Sequence, residues 1–307
     1  MQSNLGNYLS TIGNTPLVEL KRLAESVSGR LLAKVEGRNA TGSIKSRVAS
    51  SMLRDAKCNN VLRAGMAVVE PTCGNLGIAL AMATAAQGIE LTLVMPHTAP
   101  AYRVRTLERY GANLEFTHGG HGMRGAILRA RQIVAQDPDR WHMLNQFENP
   151  ANVQAHYEST GPEIWQQTQG DIDVLVCGVG TGGTLTGIGR YLKERKAITI
   201  VAVEPKRSPV LSQHMQGLSL KPGPHGIEGI GAGFVPQLLD IGLVDRIETV
   251  EDEEAFLVMN RLAREEGLCV GPSCGAATSV ALRLGKLPDF ANKTLVVVLP
   301  ETYENRI

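Results

Sequence analysis

The sequence MAVVEPTCGNLGIALAMATAAQGIELTLVM, residues 66–95, indicates the fold of the chain. Its β-rich run at 66–70 is followed by an apolar helical pattern at 75–87 and by a second β-rich run at 91–95. A strand, a helix and a strand in this order are typical of a parallel βαβ unit. The stretch therefore predicts an α/β protein with a mainly parallel sheet.

The same alternation continues along the chain. Further helices are expected at 46–57, 102–110, 123–136, 184–194, 253–266 and 275–284, and further strands near 113–116, 141–144, 174–178, 198–203 and 294–299. Prolines and polar turns in QFENPANVQAHYESTGPEIW, residues 146–165, break this rhythm and predict a lobe boundary. A Pro- and Gly-rich stretch between Glu204 and Phe234 is long enough to suggest a functional or mobile loop. We expect an α/β fold of two open, twisted, mainly parallel sheets flanked by helices.

The expected lobes are a larger one, formed by residues 1–40 and 149–307, and a smaller one at 41–148. With a glycine-rich turn at 178–187, the larger lobe would carry a phosphate site, and with a similar turn at 72–77, the smaller lobe would carry a substrate loop. Because binding at that loop would pull it toward the phosphate-bearing lobe, we expect the smaller lobe to be mobile.

Composition limits the classes of ligand and location. The chain has 31 Lys and Arg against 30 Asp and Glu, without a block of like charge, so nucleic acid and membrane surfaces are not expected partners. The five cysteines lack paired metal spacing, and the start MQSNLGNYLS lacks the basic and apolar runs of a signal peptide. The longest apolar runs are shorter than the roughly 20 residues that span a bilayer. We expect a cytoplasmic protein with reduced thiols that binds a small molecule and no metal.

The sequence GVGTGGTLTG, residues 178–187, follows a predicted strand and begins a helix. Backbone N–H groups and the helix dipole at such a turn favour an anion. Three hydroxyl side chains favour a single phosphate group over a pyrophosphate, because they add donors to the glycine backbone: Thr181, Thr184 and Thr186.

Two other interpretations of this turn stay open at this point. Gly178, Gly180 and Gly183 fit GxGxxG, and Glu204 ends the next strand, where a nicotinamide-dependent dehydrogenase places its ribose-binding acid. The turn is also compatible with a tight strand-to-helix connection that binds nothing.

A second turn of this kind lies at TCGNLG, residues 72–77, directly after the strand that ends at Glu70. It predicts a second anion site, which suits a ligand pair with a phosphate at one end and a carboxylate at the other. The alternative is an ordinary helix N-cap by Thr72 or Asn75.

Lys45 lies in GSIKSR, residues 42–47, where a helix is predicted to begin. A cation at a helix N-terminus is unfavourable by about 0.3–1 kcal/mol. Such a lysine is therefore either displayed on the surface or has lost its charge. A Schiff base with an aldehyde cofactor would explain the second case.

Taken in order, six motifs resemble those of the cysteine synthase (O-acetylserine sulfhydrylase) family of β-family, fold type II pyridoxal-phosphate enzymes. They are KVEGRNATGSIKSR (34–47), EPTCGNLGIALA (70–81), QFENPAN (146–152), GVGTGGTLTG (178–187), KPGPHGIEGIGAGF (221–234) and GPSCGAA (271–277). The resemblance extends from TIGNTPLVEL, residues 11–20, to VVVLP, residues 296–300. It implies a pyridoxal 5'-phosphate enzyme with the cofactor in a cleft between two lobes.

The resemblance also implies a role for each matching residue. Lys45 would hold the cofactor as a Schiff base and act as the catalytic base at the substrate α-carbon. The cofactor phosphate would be bound by Gly180, Thr181, Gly182, Gly183 and Thr184. The ring hydroxyl would meet Asn75 and the pyridine nitrogen Ser273. The substrate carboxylate would be held by Thr72, Cys73, Gly74, Asn75 and Leu76, with Gln146 beside it.

A hydroxyl partner such as Ser273 has a chemical consequence of its own. It does not force a proton onto the ring nitrogen as a carboxylate would, so the ring is a milder electron sink. Elimination at the β-carbon is then favoured over transamination. The implied reaction replaces the β-substituent of O-acetylserine with sulfide and gives cysteine and acetate.

The chain departs from the family pattern in three places. The substrate loop has Cys73 and Leu76 where the family has hydroxyl residues, which predicts weaker substrate capture that a serine and a threonine would restore. Pro272 and Cys274 flank Ser273 where a small apolar residue or glycine and a second serine are more common. The tail ETYENRI, residues 301–307, lacks the usual pattern, which leaves truncation and divergence as alternatives.

Some residues favour simpler explanations. His118 and His121 are separated by glycines and have no third ligand nearby in the sequence, so an exposed turn is expected in place of a metal pair. Cys73 at a helix N-terminus could be a reactive thiol, but a serine-sized replacement needs no such role.

The alternatives in function belong to different classes. A nicotinamide-dependent dehydrogenase would leave Lys45 and the motifs TCGNLG and GPSCGAA without a role. Related β-replacements would make cyanoalanine, cystathionine or lanthionine. A catalytically weakened paralogue would bind the cofactor and act as a partner. The family implies a homodimer and an active site that also binds the isoleucine-ended C-terminal tail of serine acetyltransferase.

Overall fold

The computed structural model describes residues 8–303. The expectation about the start of the chain rests partly on residues 1–7, and that about the tail partly on 304–307. Both stretches lie outside the described residues.

Strands and helices alternate along most of the described chain. The strands are β1 (Leu17–Glu19), β2 (Arg30–Val35), β3 (Ala67–Pro71), β4 (Leu91–Pro96), β5 (Asn113–Thr117), β6 (Trp141–Met143), β7 (Val174–Gly178), β8 (Thr199–Pro205), β9 (Arg246–Val250) and β10 (Thr294–Leu299). The α-helices are α1 (Lys45–Cys58), α2 (Asn75–Ala85), α3 (Ala101–Arg109), α4 (Gly122–Gln136), α5 (Pro150–Ala155), α6 (Gly161–Thr168), α7 (Gly183–Lys193), α8 (Val210–Met215), α9 (Asp252–Glu266) and α10 (Pro272–Leu284).

The described chain separates into two compact units. The smaller unit contains Asn39–Asn152 together with residues 8–12, and the larger unit contains Gly13–Arg38 and residues 153–303. That the smaller one is mobile stays a prediction.

The smaller unit is built on a four-stranded parallel sheet with the order β5-β4-β3-β6. One face packs against α1 and α2 through a core that includes Val68, Leu80 and Leu93. The other face packs against α4 through Val69 and Val94. Because the strands are parallel, the loops that follow β3 and β6 leave the sheet at the same edge.

The larger unit is built on a six-stranded sheet with the order β1-β2-β10-β7-β8-β9. It is parallel except for the antiparallel pair β1 and β2. Apolar side chains of β7, β8, β10, α9 and α10 form one continuous core. The buried central strands β7 and β10 place the loops at their carboxyl ends on a rigid base.

The structure confirms the predicted fold class. The elements expected from the alternation are present, with ends that differ by three residues at most. Helix α10 begins three residues early, at Pro272, because a proline suits the first turn, where no backbone N–H is needed. No helix within residues 8–303 is both long and apolar enough to cross a membrane.

The division between the two compact units falls inside the stretch 146–165, between Asn152 and Val153, while the polar turns expected there are mostly helical. Helix α5, a π-helical turn at His156–Thr160 and helix α6 follow one another there without interruption. Pro150 lies in the first turn of α5, where no backbone N–H is needed, and Pro162 comes two residues after the π-helical turn, so neither proline ends the helical segment. Strands β1, β2 and β9 and helix α8 were not expected.

Candidate active site

Lys45 is the first residue of α1 and is half-buried. Its backbone N–H donates to Ser43 Oγ at 3.3 Å, and Ser46 Oγ accepts the N–H of Thr41 at 3.2 Å. These serine contacts hold the preceding loop against the first turn of the helix. That turn carries no acidic residue, so no carboxylate within it offsets the unfavourable placement of a lysine at the positive end of the helix dipole.

The loop after β3 leads directly into α2, which begins at Asn75 with Gly74 as its N-cap. No side chain caps this helix, so the N-cap alternative for Thr72 and Asn75 is wrong. Thr72 Oγ1 instead accepts the Gly74 N–H at 3.2 Å. The first amides of a helix lack intrahelical acceptors, and at this edge they are suited to a carboxylate.

Cys73 is half-buried, and its carbonyl oxygen accepts a hydrogen bond from Nη1 of Arg103 on α3. The arginine itself is buried. This contact holds the backbone of the loop, and no local pattern predicts it, because the two residues lie 30 positions apart.

The Leu76 side chain does not face the loop. It is 1% exposed and packs in the core between α1, α2 and the sheet, with Val48, Leu80 and Leu107 among its cluster. The part of Leu76 that remains for a ligand is its backbone N–H. The expectation that a side-chain hydroxyl is missing from the site at this position is therefore wrong.

Gln146 is buried in the loop that follows β6. Its backbone N–H donates to Oε1 of Glu70 at 3.0 Å, and that of Asn145 donates to Oε2 at 2.8 Å. Asn152 Nδ2 donates to the Gln146 carbonyl at 2.9 Å. Glu70 thus joins the loop of Gln146 to β3, two residues before Thr72.

The turn at 178–184 connects β7 to α7 in the larger unit. Gly182 is the N-cap of α7 with φ +84°, a conformation that favours glycine. A Cβ atom there would lie 2.7 Å from the backbone nitrogen of Leu239, and one at Gly180 would lie 2.5 Å from the carbonyl oxygen of Gly229. The turn therefore requires glycines at both positions.

The threonines of this turn have different surroundings. Thr181 Oγ1 accepts the Gly183 N–H at 3.4 Å, within the turn itself. Thr186 is fully buried, donates to the Leu238 carbonyl at 2.8 Å and accepts the Asp240 N–H at 2.9 Å. Thr186 thus holds a neighbouring loop, and its expected contribution to the phosphate site is wrong.

Thr184 is held by a residue that the sequence did not reveal. Nε2 of the fully buried His156 lies 3.1 Å from Thr184 Oγ1, and its Nδ1 lies 2.9 Å from Thr160 Oγ1. His156 begins the π-helical turn, a type of distortion that is frequent at functional sites. The imidazole fixes the direction of the Thr184 hydroxyl.

Ser273 lies in the first turn of α10 and is 2% exposed. Its Oγ is buried, and no hydrogen bond to it is found among residues 8–303. A Cβ atom at Gly229, φ +96°, would lie 3.5 Å from this Oγ. Gly229 therefore lies between the phosphate turn and Ser273, which the motif KPGPHGIEGIGAGF alone did not show.

Comparisons with known proteins agree with this geometry. The family model described as "Pyridoxal-phosphate dependent enzyme" matches residues 8–301. The chain belongs to this family. It is 51% identical over 296 residues to cysteine synthase from Haemophilus influenzae, which covers 96% of this chain and 93% of the relative.

Solved structures are similar over the whole chain. Cysteine synthase (OASS) from Entamoeba histolytica has a TM-score of 0.94 at 37% identity and covers 99% of this chain and 90% of that one. O-ureido-L-serine synthase has a TM-score of 0.90 at 37% identity, with coverage of 98% and 93%. The predicted family, its cofactor and the enzyme class are thereby confirmed.

The residues of the larger unit fit pyridoxal 5'-phosphate. The turn presents the first backbone N–H groups of α7 to an anion, beside the Thr184 hydroxyl that His156 orients. The buried Ser273 Oγ requires a polar partner, since an unpaired buried hydroxyl is costly, and a ring nitrogen supplies one. The residues that fit the phosphate and the ring nitrogen lie in the larger unit, and Lys45, residues 72–77 and Gln146 lie in the smaller one.

Glu204 is unavailable to a ribose. It is 1% exposed, and its carboxylate accepts the backbone N–H groups of Leu211 at 2.7 Å and Ser212 at 2.9 Å and the Ser212 hydroxyl at 2.6 Å. Its function is to hold the first turn of α8. The acid that suggested a dehydrogenase is therefore structural.

The exposed turn expected at His118 and His121 is confirmed, but a third imidazole lies near it. The ring of His97 is 5.8 Å from that of His118, which is 5.6 Å from that of His121. Nδ1 of His97 accepts the Gly119 N–H at 2.9 Å, so this nitrogen is occupied. Among residues 8–303, no group of three or more His, Cys, Asp or Glu side chains is arranged to hold a metal ion.

Proposed function

We propose that this enzyme makes cysteine by replacing the acetoxy group of O-acetylserine with sulfide, with release of acetate. The observation that carries the proposal is the buried Ser273 Oγ, an uncharged partner for the cofactor ring in a chain 51% identical to a cysteine synthase. An uncharged partner suits β-replacement better than transamination, because it leaves the ring a milder electron sink.

In this proposal Lys45 Nζ holds the cofactor aldehyde until the substrate amine takes its place. When bound, the cofactor withdraws electrons from the substrate α-carbon. The free Lys45 amine then accepts the proton from that carbon and later returns it. Its half-buried position at the start of α1 keeps the amine close to one geometry.

The substrate carboxylate is assigned to the N-terminus of α2. The backbone N–H groups of Asn75 and Leu76, the Thr72 hydroxyl and the Cys73 and Gly74 backbone would orient it, with Gln146 beside them. Asn75 would also meet the ring hydroxyl of the cofactor. The Arg103 contact to the Cys73 carbonyl supports this assignment, because it holds the loop backbone in place without a ligand.

The phosphate is assigned to Gly180, Thr181, Gly182, Gly183 and Thr184, and the ring nitrogen to Ser273. The overall change at the β-carbon is balanced: the C–O bond to acetate breaks with its electron pair, and a C–S bond to sulfide forms.

The test is a substrate series on the purified holoenzyme. The absorbance of the bound cofactor is followed on addition of O-acetylserine, and then sulfide, cyanide, cysteine and homocysteine are offered in turn. We expect a spectral change with O-acetylserine that sulfide reverses fastest, with cysteine as the product. No spectral change with O-acetylserine, or faster reversal by another nucleophile, would refute the proposal.

A second candidate is the same chemistry with a different nucleophile, as in cyanoalanine, cystathionine or lanthionine synthesis. Two observations favour testing it: the half-buried Cys73 in the substrate loop, and the TM-score of 0.90 to O-ureido-L-serine synthase. A catalytically weakened paralogue that acts as a binding partner would show cofactor absorbance and no product with any nucleophile of the series.

Three further proposals concern assembly and location. We propose a homodimer, to be checked by light scattering, and binding of a serine acetyltransferase C-terminal tail, to be checked with an isoleucine-ended peptide by calorimetry. We also propose a cytoplasmic location. All five cysteines lie in the described residues as free thiols, which supports a reducing compartment.

A further inference from the structure

Glu70 is a buried carboxylate that the proposed chemistry does not use. It occupies the end of β3 with 1% exposure, and its side chain points to the same face of the sheet as Val68. A buried carboxylate is costly unless donors satisfy it. Here each of its oxygens accepts one backbone N–H from the loop of Gln146, 75 and 76 positions away along the chain.

The loop that Glu70 holds has an unusual backbone. Asn145 has φ +56°, in the left-handed region that costs most residues about 1–2 kcal/mol. The two hydrogen bonds to Glu70 come from the backbone N–H groups of Asn145 and of the next residue, Gln146. They therefore stabilise the loop at the residue with the unfavourable backbone conformation. Gln146 is at the same time the residue assigned to the substrate carboxylate.

We propose that Glu70 is the positioning residue of the amino-acid site, and that its carboxylate form sets the affinity for substrate by holding the backbone of Asn145 and Gln146. The proposal rests on the function proposed above for Gln146. Glu70 itself touches neither substrate nor cofactor in this scheme; it acts through the loop.

The protonation state of Glu70 is sensitive to pH near neutrality. Burial raises the pKa of Glu70 to about 7, while the backbone N–H groups of Gln146, Asn145 and Leu144 lower it. Because the pKa lies above its usual value, the carboxylate is present above about pH 7 and becomes the acid below it. The acid is a weaker acceptor, so the hold on the loop weakens as the pH falls through 7.

Other titratable groups lie on the elements that pack against β3. Strand β4 has no titratable side chain. The elements packed against β3 carry the following titratable groups: His142 on β6, Arg124, Arg129 and Arg131 on α4, Glu148 in the Gln146 loop, and Lys45, Arg47, Arg54, Asp55, Lys57 and Cys58 on α1. None of them is among the causes that shift the Glu70 pKa.

The test compares Glu70→Gln with Glu204→Gln as a matched control. Glu204 is equally buried, also ends a strand and also accepts two backbone N–H groups, but those belong to α8 in the larger unit. In Glu70→Gln the side-chain NH2 group faces one of the two loop N–H groups, and two donors cannot form a hydrogen bond with each other. One of the two hydrogen bonds to the loop is therefore lost. The loss of one substrate hydrogen bond through a shifted loop predicts a KM for O-acetylserine raised about two- to tenfold at pH 8.

The expected pattern has three parts. For Glu70→Gln, kcat and cofactor content stay close to those of the wild type at pH 8 while KM rises. The ratio of its KM to that of the wild type falls toward one at pH 6, because the wild type has lost its carboxylate there. For Glu204→Gln the ratio stays near one at both pH values. An unchanged KM for Glu70→Gln at pH 8, or a change that Glu204→Gln matches, overturns the proposal.

A second measurement needs no variant. Hydrogen exchange of a peptide covering residues 144–149 in the wild-type holoenzyme, corrected for the intrinsic rate, should show lower protection at pH 6 than at pH 8. Equal protection overturns the proposal even if Glu70→Gln fails to fold. If the wild type does not turn over O-acetylserine, the proposed function fails, and the exchange measurement still decides whether Glu70 holds the loop.

Discussion

The substitution Leu76→Thr tests whether the Leu76 side chain lies in the substrate site or in the hydrophobic core. Leu76 is 1% exposed within the cluster formed by α1, α2 and the sheet. Threonine at this position removes about two buried carbon groups, at about 0.8 kcal/mol each, and buries a hydroxyl at a cost of about 1–3 kcal/mol. We expect the free energy of unfolding to fall by about 3–5 kcal/mol.

The matched control is Leu80→Thr, one helical turn further along α2 and also fully buried in the same cluster. Both variants should lower the unfolding temperature of the holoenzyme by similar amounts. Neither should raise kcat/KM for O-acetylserine, because neither side chain reaches the substrate loop surface.

Cys73→Ser should behave differently, since Cys73 is half-buried at the loop itself. Its effect on stability should stay within about 0.5 kcal/mol. If the hydroxyl gains one hydrogen bond to the substrate, kcat/KM rises about two- to tenfold. The reasoning is refuted if Leu76→Thr keeps the wild-type unfolding temperature and raises kcat/KM, because its side chain would then face the substrate.

Three further predictions concern the cofactor. Lys45→Ala should yield no covalent adduct after borohydride reduction, and an adduct mapped by mass spectrometry to another lysine would contradict the role of Lys45. Gly182→Ala should weaken cofactor binding about ten- to a hundredfold, as measured by equilibrium dialysis. The reason is that a shifted turn loses one hydrogen bond to a charged group, which is worth about 1.5–3 kcal/mol. The control is Gly65→Ala, which has the same φ of +84° and open space around it and should leave the affinity unchanged. Ser273→Asp should retain the cofactor and slow β-elimination from O-acetylserine, since a carboxylate protonates the ring nitrogen, and an unchanged rate argues against this contact.

Local patterns in the sequence were sufficient to predict the two strand-to-helix turns at 72–77 and 178–184. At 72–77 and 178–184 a β-rich run, a glycine-containing turn and a helix follow one another within about 20 residues. The geometry of such a turn depends on near neighbours in the chain, so it can be deduced from the sequence. The fold class followed for the same reason, because each βαβ unit is a local structure.

Contacts between distant positions could not be predicted in this way. His156 and Thr184 are 28 positions apart, and the direction of the Leu76 side chain depends on how α2 packs against α1. The π-helical turn at His156–Thr160 was hidden because Pro150, Gly161 and Pro162 on either side of it suggested a loop. These features are set by tertiary packing, which a single sequence does not encode in any short pattern.

Two strands end in the sequence Val-Glu-Pro, at residues 69–71 and 203–205, and this pattern could have indicated a contact between distant positions. Glu70 is the penultimate residue of β3 and Glu204 that of β8, and a proline ends each strand. Each glutamate is 1% exposed and accepts two backbone N–H groups from a later segment. A charged residue at the end of an apolar strand must find donors there, because the strand itself supplies none to its side chain. Glu204, which the GxGxxG pattern suggested as a ribose ligand, is therefore a structural acceptor. Glu70, for which the sequence predicted no role, accepts the backbone N–H of Gln146. The chemistry of the two strand ends is the same, and the segment that each carboxylate holds decides whether it affects stability alone or also the binding of substrate.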